Sequence, residues 1–359
     1  MSRSILVLTS VHQADDPRVR DRTVAVLARH TPVRYATQPP APRHREDHEW
    51  RALPGGRVRR ALAGLRLCWS QEVALVSLHD PELIPVGLLV RWLRRIPVVL
   101  DVHENVPAQL ATKDWLAPWL RQPMARAAAA GLRLAEQYLT ITLAEEGYQS
   151  LFRHRHPVFP NYPLAEALPA PRPDEGYVVY VGDVTEQRGA ELAVRAVAGL
   201  RHPLPLHLVG RCQKPLRRRL LKLADRLGVE LHLTGFLPHA QAMRRAAGAT
   251  VALSPLADIP NYRWSLPTKV IEYLSLGVPV AAANLPGTAR AVNGLPAVAL
   301  VPPGDVKAWT EALQRVCDDP GWRNQAVASV PTVRARFSWP SRRLIDLYLA
   351  LVERPLPAR

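Results

Sequence analysis

Cysteine is scarce: Cys68, Cys212 and Cys317 are the three in 359 residues. An odd number, with no pair at metal-ligand spacing, excludes a disulfide framework and a structural zinc site and leads us to expect a reducing, cytoplasmic setting. Lysine is nearly missing from a basic chain: Lys113, Lys214, Lys222, Lys269 and Lys307 are five of 47 basic residues, so arginine carries the formal charge of +16. Arginine of this abundance suits solvated helix faces, and its planar fork also suits phosphorylated ligands and anionic lipid. Aromatic residues make up 6% of the chain. With no zinc-finger spacing and no aromatic RNP-like segment, a basic nucleic-acid-binding protein remains a distant alternative without its stacking residues, and no nucleic acid is expected as a partner. No apolar run approaches the ~20 residues of a spanning helix. Met1 to Arg3 lead straight into a strand-like segment rather than a charged-then-apolar leader. Membrane contact is therefore expected to be peripheral at most.

What is present is the balance of a globular protein, 48% hydrophobic and 22% charged, at a length that favours two domains. Short β-branched runs at Ile5–Thr9, Val73–Leu78, Val98–Val102 and Leu139–Thr142 alternate with amphipathic stretches. A second series at Val178–Val181, Leu206–Val209, Leu231–Thr234, Val251–Leu253 and Val278–Ala282 repeats the pattern. Between them prolines stand at 157, 160, 163, 169, 171 and 173, the composition of a semi-rigid linker. The expected class is α/β: two Rossmann-like, doubly wound parallel-sheet domains facing across a cleft. They span 1–160 and 177–338, joined by a linker at 161–176. After Pro340, the residues Leu344, Leu347, Tyr348 and Leu351 predict a closing helix, which packs back on the first domain.

Two segments carry chemistry. In Tyr180-Val-Gly-Asp-Val-Thr-Glu-Gln-Arg-Gly189 a glycine ends a strand and an Arg-Gly pair precedes a helix. Gly182 would admit close backbone approach, and Arg188 with the helix start would bind a diphosphate; a bare turn with a solvent-facing Arg is the plainer reading. In Ser265-Leu-Pro-Thr-Lys-Val-Ile-Glu-Tyr-Leu-Ser-Leu-Gly-Val-Pro279, Ser265 or Thr268 is expected to cap a helix running to about Leu276. Lys269 in the first turn opposes the helix dipole unless an anion offsets it, which points to a ligand phosphate. Glu272, on nearly the same face, would accept from ribose hydroxyls; a surface Lys–Glu pair is the alternative. Asp15-Asp16 reads as loop capping, and His154-x-His156, in a cationic stretch, is not taken as a metal pair.

These segments resemble the retaining nucleotide-sugar glycosyltransferases of family 4, which have the GT-B fold, over nearly the whole chain. The resemblance rests on the order of motifs: Asp16-Pro-Arg-Val19, His79-Asp-Pro81, Asp101-Val-His-Glu104, Phe159-Pro-Asn-Tyr-Pro163 and Tyr180-Val-Gly182 with Arg188-Gly189. Gly210, Thr234-Gly-Phe236, Pro267-Thr-Lys-Val-Ile-Glu272, Gly277-Val-Pro279 and Ser338-Trp339 follow. It implies transfer of a sugar from a nucleoside diphosphate sugar to a hydroxyl or other nucleophile, without metal or resident cofactor and with retention of anomeric configuration. A UDP-sugar is favoured as donor. By resemblance Gly182, Arg188 and Lys269 would hold the diphosphate, Glu272 the ribose, and Gly235, Phe236 and Leu237 the base, while His103 would face the transferred sugar. Asp16, Arg18, His79 and Glu104 would lie on the acceptor side, with the loops 9–20 and 106–119.

Two positions depart from the family pattern. Trp264 stands where many members carry an acidic residue that holds the donor sugar, and Asp183 where Arg is common after the turn glycine. The acceptor is open among a small molecule, a natural product and a lipid-linked glycan. The Arg-rich stretch 57–69 is compatible with a helix packed on the first sheet or with one touching anionic membrane. The alternative enzyme reading keeps the fold and changes the reaction to that of a sugar-nucleotide epimerase or another GT-B enzyme.

Overall fold

The structure is a computed structural model, and it describes residues 4–42, 48–112 and 116–353. Residues 1–3, and residues 113–115 of the 106–119 loop expected on the acceptor side, lie outside them. Among the described residues twelve strands form two six-stranded sheets. The first contains β1 (Ser4–Gln13), β2 (Val33–Gln38), β3 (Glu49–Ala52), β4 (Val73–Leu78), β5 (Val98–Val102) and β6 (Thr140–Leu143). The second contains β7 (Val178–Val181), β8 (Leu206–Val209), β9 (Leu231–Gly235), β10 (Val251–Ser254), β11 (Val280–Ala283) and β12 (Val298–Val301). All pairings are parallel. The orders β3-β2-β1-β4-β5-β6 and β12-β11-β10-β7-β8-β9 are both the doubly wound order, whose reversal point lies between β1 and β4 in one sheet and between β7 and β10 in the other.

Three strands escaped the sequence reading, and each has a physical reason. β2 carries Arg34 and Gln38 among its apolar residues, and β3 is an edge strand whose Glu49, Arg51 and Ala52 are exposed. β12 is an edge strand of the second sheet, with Leu300 at 38% exposure. Strands at a sheet edge, or with polar residues among the apolar ones, lack the continuous apolar run that marks β10 or β11.

The chain forms two compact units, one of residues up to 161 together with 339–353 among those described, the other Tyr162–Ser338. In the first, the helix Ser341–Glu353 buries Tyr348, whose hydroxyl lies 2.8 Å from Ser77 Oγ on β4. In the second, apolar clusters built around Trp309 and around Tyr273 cover the two faces of the sheet. The proline-rich stretch is strapped to this unit: Leu168 is buried in its core, and Arg334 and Arg323 donate to the carbonyls of Pro169 and Arg172.

Candidate active site

In doubly wound sheets ligands meet the carboxyl ends of strands at the reversal point, and in both units the candidate residues collect there. In the first unit they follow β1, β4 and β5. Asp16 ends the turn after β1 and caps the helical segment Pro17–Val24, its Oδ1 accepting from the amides of Arg18 at 2.9 Å and Val19 at 3.1 Å. That start aims Arg18 inward, where it grips Asp101 with two bonds of 2.7 Å. Its remaining donors go to the Phe159 carbonyl at 3.0 Å and Asn161 Oδ1 at 2.6 Å, with the Trp339 ring 5.5 Å beneath. Thr142 donates to Asp101 at 2.9 Å, and His79 Nδ1 lies 3.3 Å from its other oxygen. Burial alone pushes the Asp101 carboxyl up, but Arg18 and His79 outweigh it and hold it well below the usual range.

Arg18 is 6% exposed with its guanidinium bonded internally, and His79 is 1% exposed beside the Asp101 carboxylate. Glu104 is exposed and adds its charge beside Tyr148. His103, at the end of β5, sits at the partly open rim, with its Nδ1 3.2 Å from the Asp101 carbonyl and its Nε2 2.8 Å from His12 Nε2. Burial comes first among the causes that lower its pKa, and Arg18, His12 and His79 act with it against Asp101.

His12 was missed by the sequence reading, although His-x-x-x-Asp after a strand was legible as a candidate pair. Its Nδ1 is 3.2 Å from Asp16 Oδ2 and its Nε2 3.2 Å from Asp80 Oδ1. Asp80 is fixed in turn by Thr9 Oγ1 at 2.7 Å and the Ser10 amide at 2.6 Å. Burial works against the imidazolium, yet the two carboxylates raise its pKa to about 10. Donor atoms of His79, Asp101 and His103 come within 4.8 Å of one another, a set of atom types that suits a cation. Arg18 already places a fixed positive charge on that carboxylate, so the guanidinium fills the role an ion would take. Elsewhere, Asp15 pairs with Arg20, and His154 and His156 both face Glu136.

In the second unit, turns after β7, β8 and β9 meet the helix Thr268–Ser275. Gly182 has φ +144° and Gly210 φ +155°, and a Cβ on Gly210 would come 1.8 Å from the Gly182 carbonyl oxygen. The missing Cβ of Gly210 is what lets these strand ends run together. Gly210→Ala is expected to lose about 2 kcal/mol or more of stability. Gly131→Ala, with nothing within 4 Å of its Cβ, is expected to be neutral or slightly stabilising; parallel thermal unfolding checks both. Arg188 lies against the hydroxyls of Tyr180 and Tyr262, so the turn arginine is held by two phenols rather than left in solvent.

Pro267 occupies the start of the helix Thr268–Ser275, and no side chain caps it. The expected Ser265 or Thr268 cap is absent because Ser265 Oγ bonds the Tyr262 carbonyl at 3.2 Å and Thr268 is already helical. Glu272 is 2% exposed; its oxygens take Lys269 Nζ at 3.2 Å and His239 Nε2 at 2.9 Å. Burial raises its carboxyl, but Lys269 and His239 bring it down to about 2. The anion that offsets Lys269 in the free protein is thus Glu272 itself. Phe236, 56% exposed after Gly235, stacks with the Arg211 guanidinium 5.0 Å from its ring centre. Trp264 is 70% exposed.

Residues 175–319 match the family model described as Glycosyl transferases group 1. The D-inositol 3-phosphate glycosyltransferase of Rhodococcus jostii (strain RHA1) is 29% identical over 280 residues, 71% of this chain and 61% of that protein, so the chain spans about six tenths of that curated relative. Among solved structures, the sucrose-phosphate synthase of Thermosynechococcus elongatus superposes with a TM-score of 0.77 at 19% identity, covering 97% of this chain and 99% of that one. Anabaena Alr3699/HepE in complex with UDP and glucose gives 0.72 at 15% identity over 97% and 98%. With two parallel sheets of the same doubly wound order and these structural neighbours, the chain has the GT-B fold.

Proposed function

We propose that the chain is a glycosyltransferase that moves a sugar from a nucleoside diphosphate sugar to an acceptor nucleophile with retention of configuration. The observation that carries the reading is Glu272. It is a buried, ionised carboxylate whose two partners, Lys269 and His239, are themselves 35% and 43% exposed. Such partners can swing into solvent at little cost, and a ribose diol supplies two O–H donors to replace them. Lys269, once released, and Arg188 supply fixed positive charge for the departing diphosphate, and Gly182 leaves room for it. The match of residues 175–319 to group 1 glycosyltransferases supports placing the donor on this unit, and UDP bound to HepE supports a UDP-sugar.

His103 faces the transferred sugar in this reading, and no metal or resident cofactor is required because the fixed cations do that work. Thermal unfolding in EDTA with a panel of nucleoside diphosphates tests it: one base raises Tm by several degrees at saturation, and Arg188→Ala loses most of the shift. No shift with any nucleotide overturns the reading. Proton NMR of the first-formed product, reading the anomeric coupling, decides retention.

Among the described residues no helix is long and apolar enough to cross a membrane. The helix Arg57–Cys68 packs Gly64 and Cys68 inward and presents Val58 and Leu62 beside Arg57, Arg59 and Arg66, all exposed. We place peripheral contact with anionic lipid on this face. Sedimentation with phosphatidylglycerol vesicles is expected to fall several-fold in an Arg57→Glu/Arg59→Glu variant, and equal sedimentation with neutral vesicles sinks the idea.

A further inference from the structure

In the first unit the contacts of His12 account for its hydrogens more fully than a packing role requires. Asp16 Oδ2 faces Nδ1 and Asp80 Oδ1 faces Nε2, each at 3.2 Å. The other oxygens of these acids are committed, Asp16 Oδ1 to two helix amides and Asp80 Oδ2 to Thr9, Ser10 and Val11. A neutral His12 would turn a lone pair on one carboxylate, so both nitrogens donate. The third neighbour of the ring is His103, with Nε2 2.8 Å from Nε2. Two nitrogens at that distance share one hydrogen, and it belongs to His12. His103 must then carry its own hydrogen on Nδ1, where the Asp101 carbonyl accepts at 3.2 Å. The opposite assignment sets lone pair against oxygen at both Asp80 and Asp101.

We propose that His12 is a positioning residue for His103: clamped as an imidazolium between Asp16 and Asp80, it holds His103 in the tautomer protonated at Nδ1, with Nε2 kept as an acceptor. The proposal rests on the reading that His103 meets the transferred sugar. His12 and His103 are 19% and 11% exposed, whereas Asp80, His79 and Asp101 are 7% or less, so a hydroxyl reaching the cluster meets these two rings first. It can take the place of the His12 hydrogen on His103 Nε2 and donate there, while the His12 hydrogen turns to Asp80 Oδ1, 3.2 Å away. The pKa of about 10 at His12 agrees with this, keeping the clamp charged through neutral pH.

Histidine 15N NMR of the full chain without substrate reads both tautomers directly. The expected wild-type result is His12 protonated on both nitrogens and His103 on Nδ1 alone at pH 7. In His12→Gln, His103 divides between tautomers, and kcat falls on the order of 100-fold with KM changed less than about threefold. Should His12→Gln not fold, Asp16→Asn keeps the cap through its carbonyl oxygen, removes one charge and turns an amide N–H toward His12 Nδ1. His12 is then expected to release its Nδ1 proton at a proton concentration at least about tenfold higher, while Nε2–H, facing Asp80, keeps the His103 tautomer. His103 protonated on Nε2 in the wild type overturns the proposal. So does a tautomer that ignores His12→Gln, or a His12 proton that ignores Asp16→Asn, while only Tm drops, the mark of a purely structural His12. Absence of sugar transfer by the wild type would remove the functional reading, yet the NMR arm would still decide the clamp.

Discussion

Arg18→Met is expected to destabilise the first unit by about 3–5 kcal/mol, measured by urea unfolding at pH 7, because it strands a buried charge. Asp101 is 6% exposed, and both its oxygens take Arg18 at 2.7 Å. Methionine fills much of the space of the arginine stem but offers nothing to the carboxylate, to the Phe159 carbonyl or to Asn161. The double variant Arg18→Met/Asp101→Leu removes both charges and is expected to recover more than half of the loss, since the desolvation cost disappears with them. A single-variant loss under about 1 kcal/mol would show that the pair is not what fixes the β1 turn. The pH sign follows from the depressed Asp101 carboxyl. Its contribution is present above the unfolded carboxyl pKa of ~3.9 and is lost as pH falls through the lower folded value. In Arg18→Met that depression is relieved, so the stability gap between the two proteins narrows from pH 7 toward pH 4.

The sequence reading and the structure agree where burial on two faces writes itself into the residues, and part where a residue answers to distant partners. β4, β5, β7, β8 and β10 were legible as apolar runs; β2, β3 and β12 were not, because polar residues interrupt β2 and the edge strands β3 and β12 meet solvent. Lys269 and Glu272 were legible as a pair because three residues along a helix set their distance. His239, 33 positions away, was invisible, since which side chain arrives over Glu272 is decided by the packing of another helix. Arg18 was read as an acceptor-side candidate; its inward course is set by the Asp16 cap two residues earlier, a local signal, and by Asp101, 83 positions on. Asp80 was legible only as part of His79-Asp-Pro81. Its closing of the His12 clamp depends on β1 and β4 being neighbours at the point where the strand order reverses.

Glu272→Ala is expected to weaken nucleoside diphosphate binding by on the order of 100-fold, read by titration calorimetry, while costing little folding stability. The two effects separate because of what each state loses. In the free protein the carboxylate is deep but its partners are not: Lys269 at 35% and His239 at 43% exposure return to water when it goes. Their pairing energy is largely screened. In the proposed complex two charge-assisted bonds to ribose hydroxyls vanish, each of about 1.5–3 kcal/mol, offset in part because the Lys269 and His239 pairings no longer have to be broken, which sets the scale of the affinity loss. Glu272→Gln is the sharper variant, for it keeps shape and one acceptor; it should bind more tightly than Glu272→Ala and less tightly than the wild type. With the carboxyl held at about 2, the Glu272 contribution to stability is present above the unfolded value of ~4.3 and lost progressively as pH falls from there through about 2. Wild-type stability should therefore decline below about pH 5 with a component that Glu272→Gln removes. His239→Ala separates the ribose seat from the ion pair: if the imidazole only neutralises the free site, its removal leaves affinity unchanged or slightly higher, since the ribose then displaces one partner fewer. A large loss of affinity would instead make His239 a direct contact of the nucleotide.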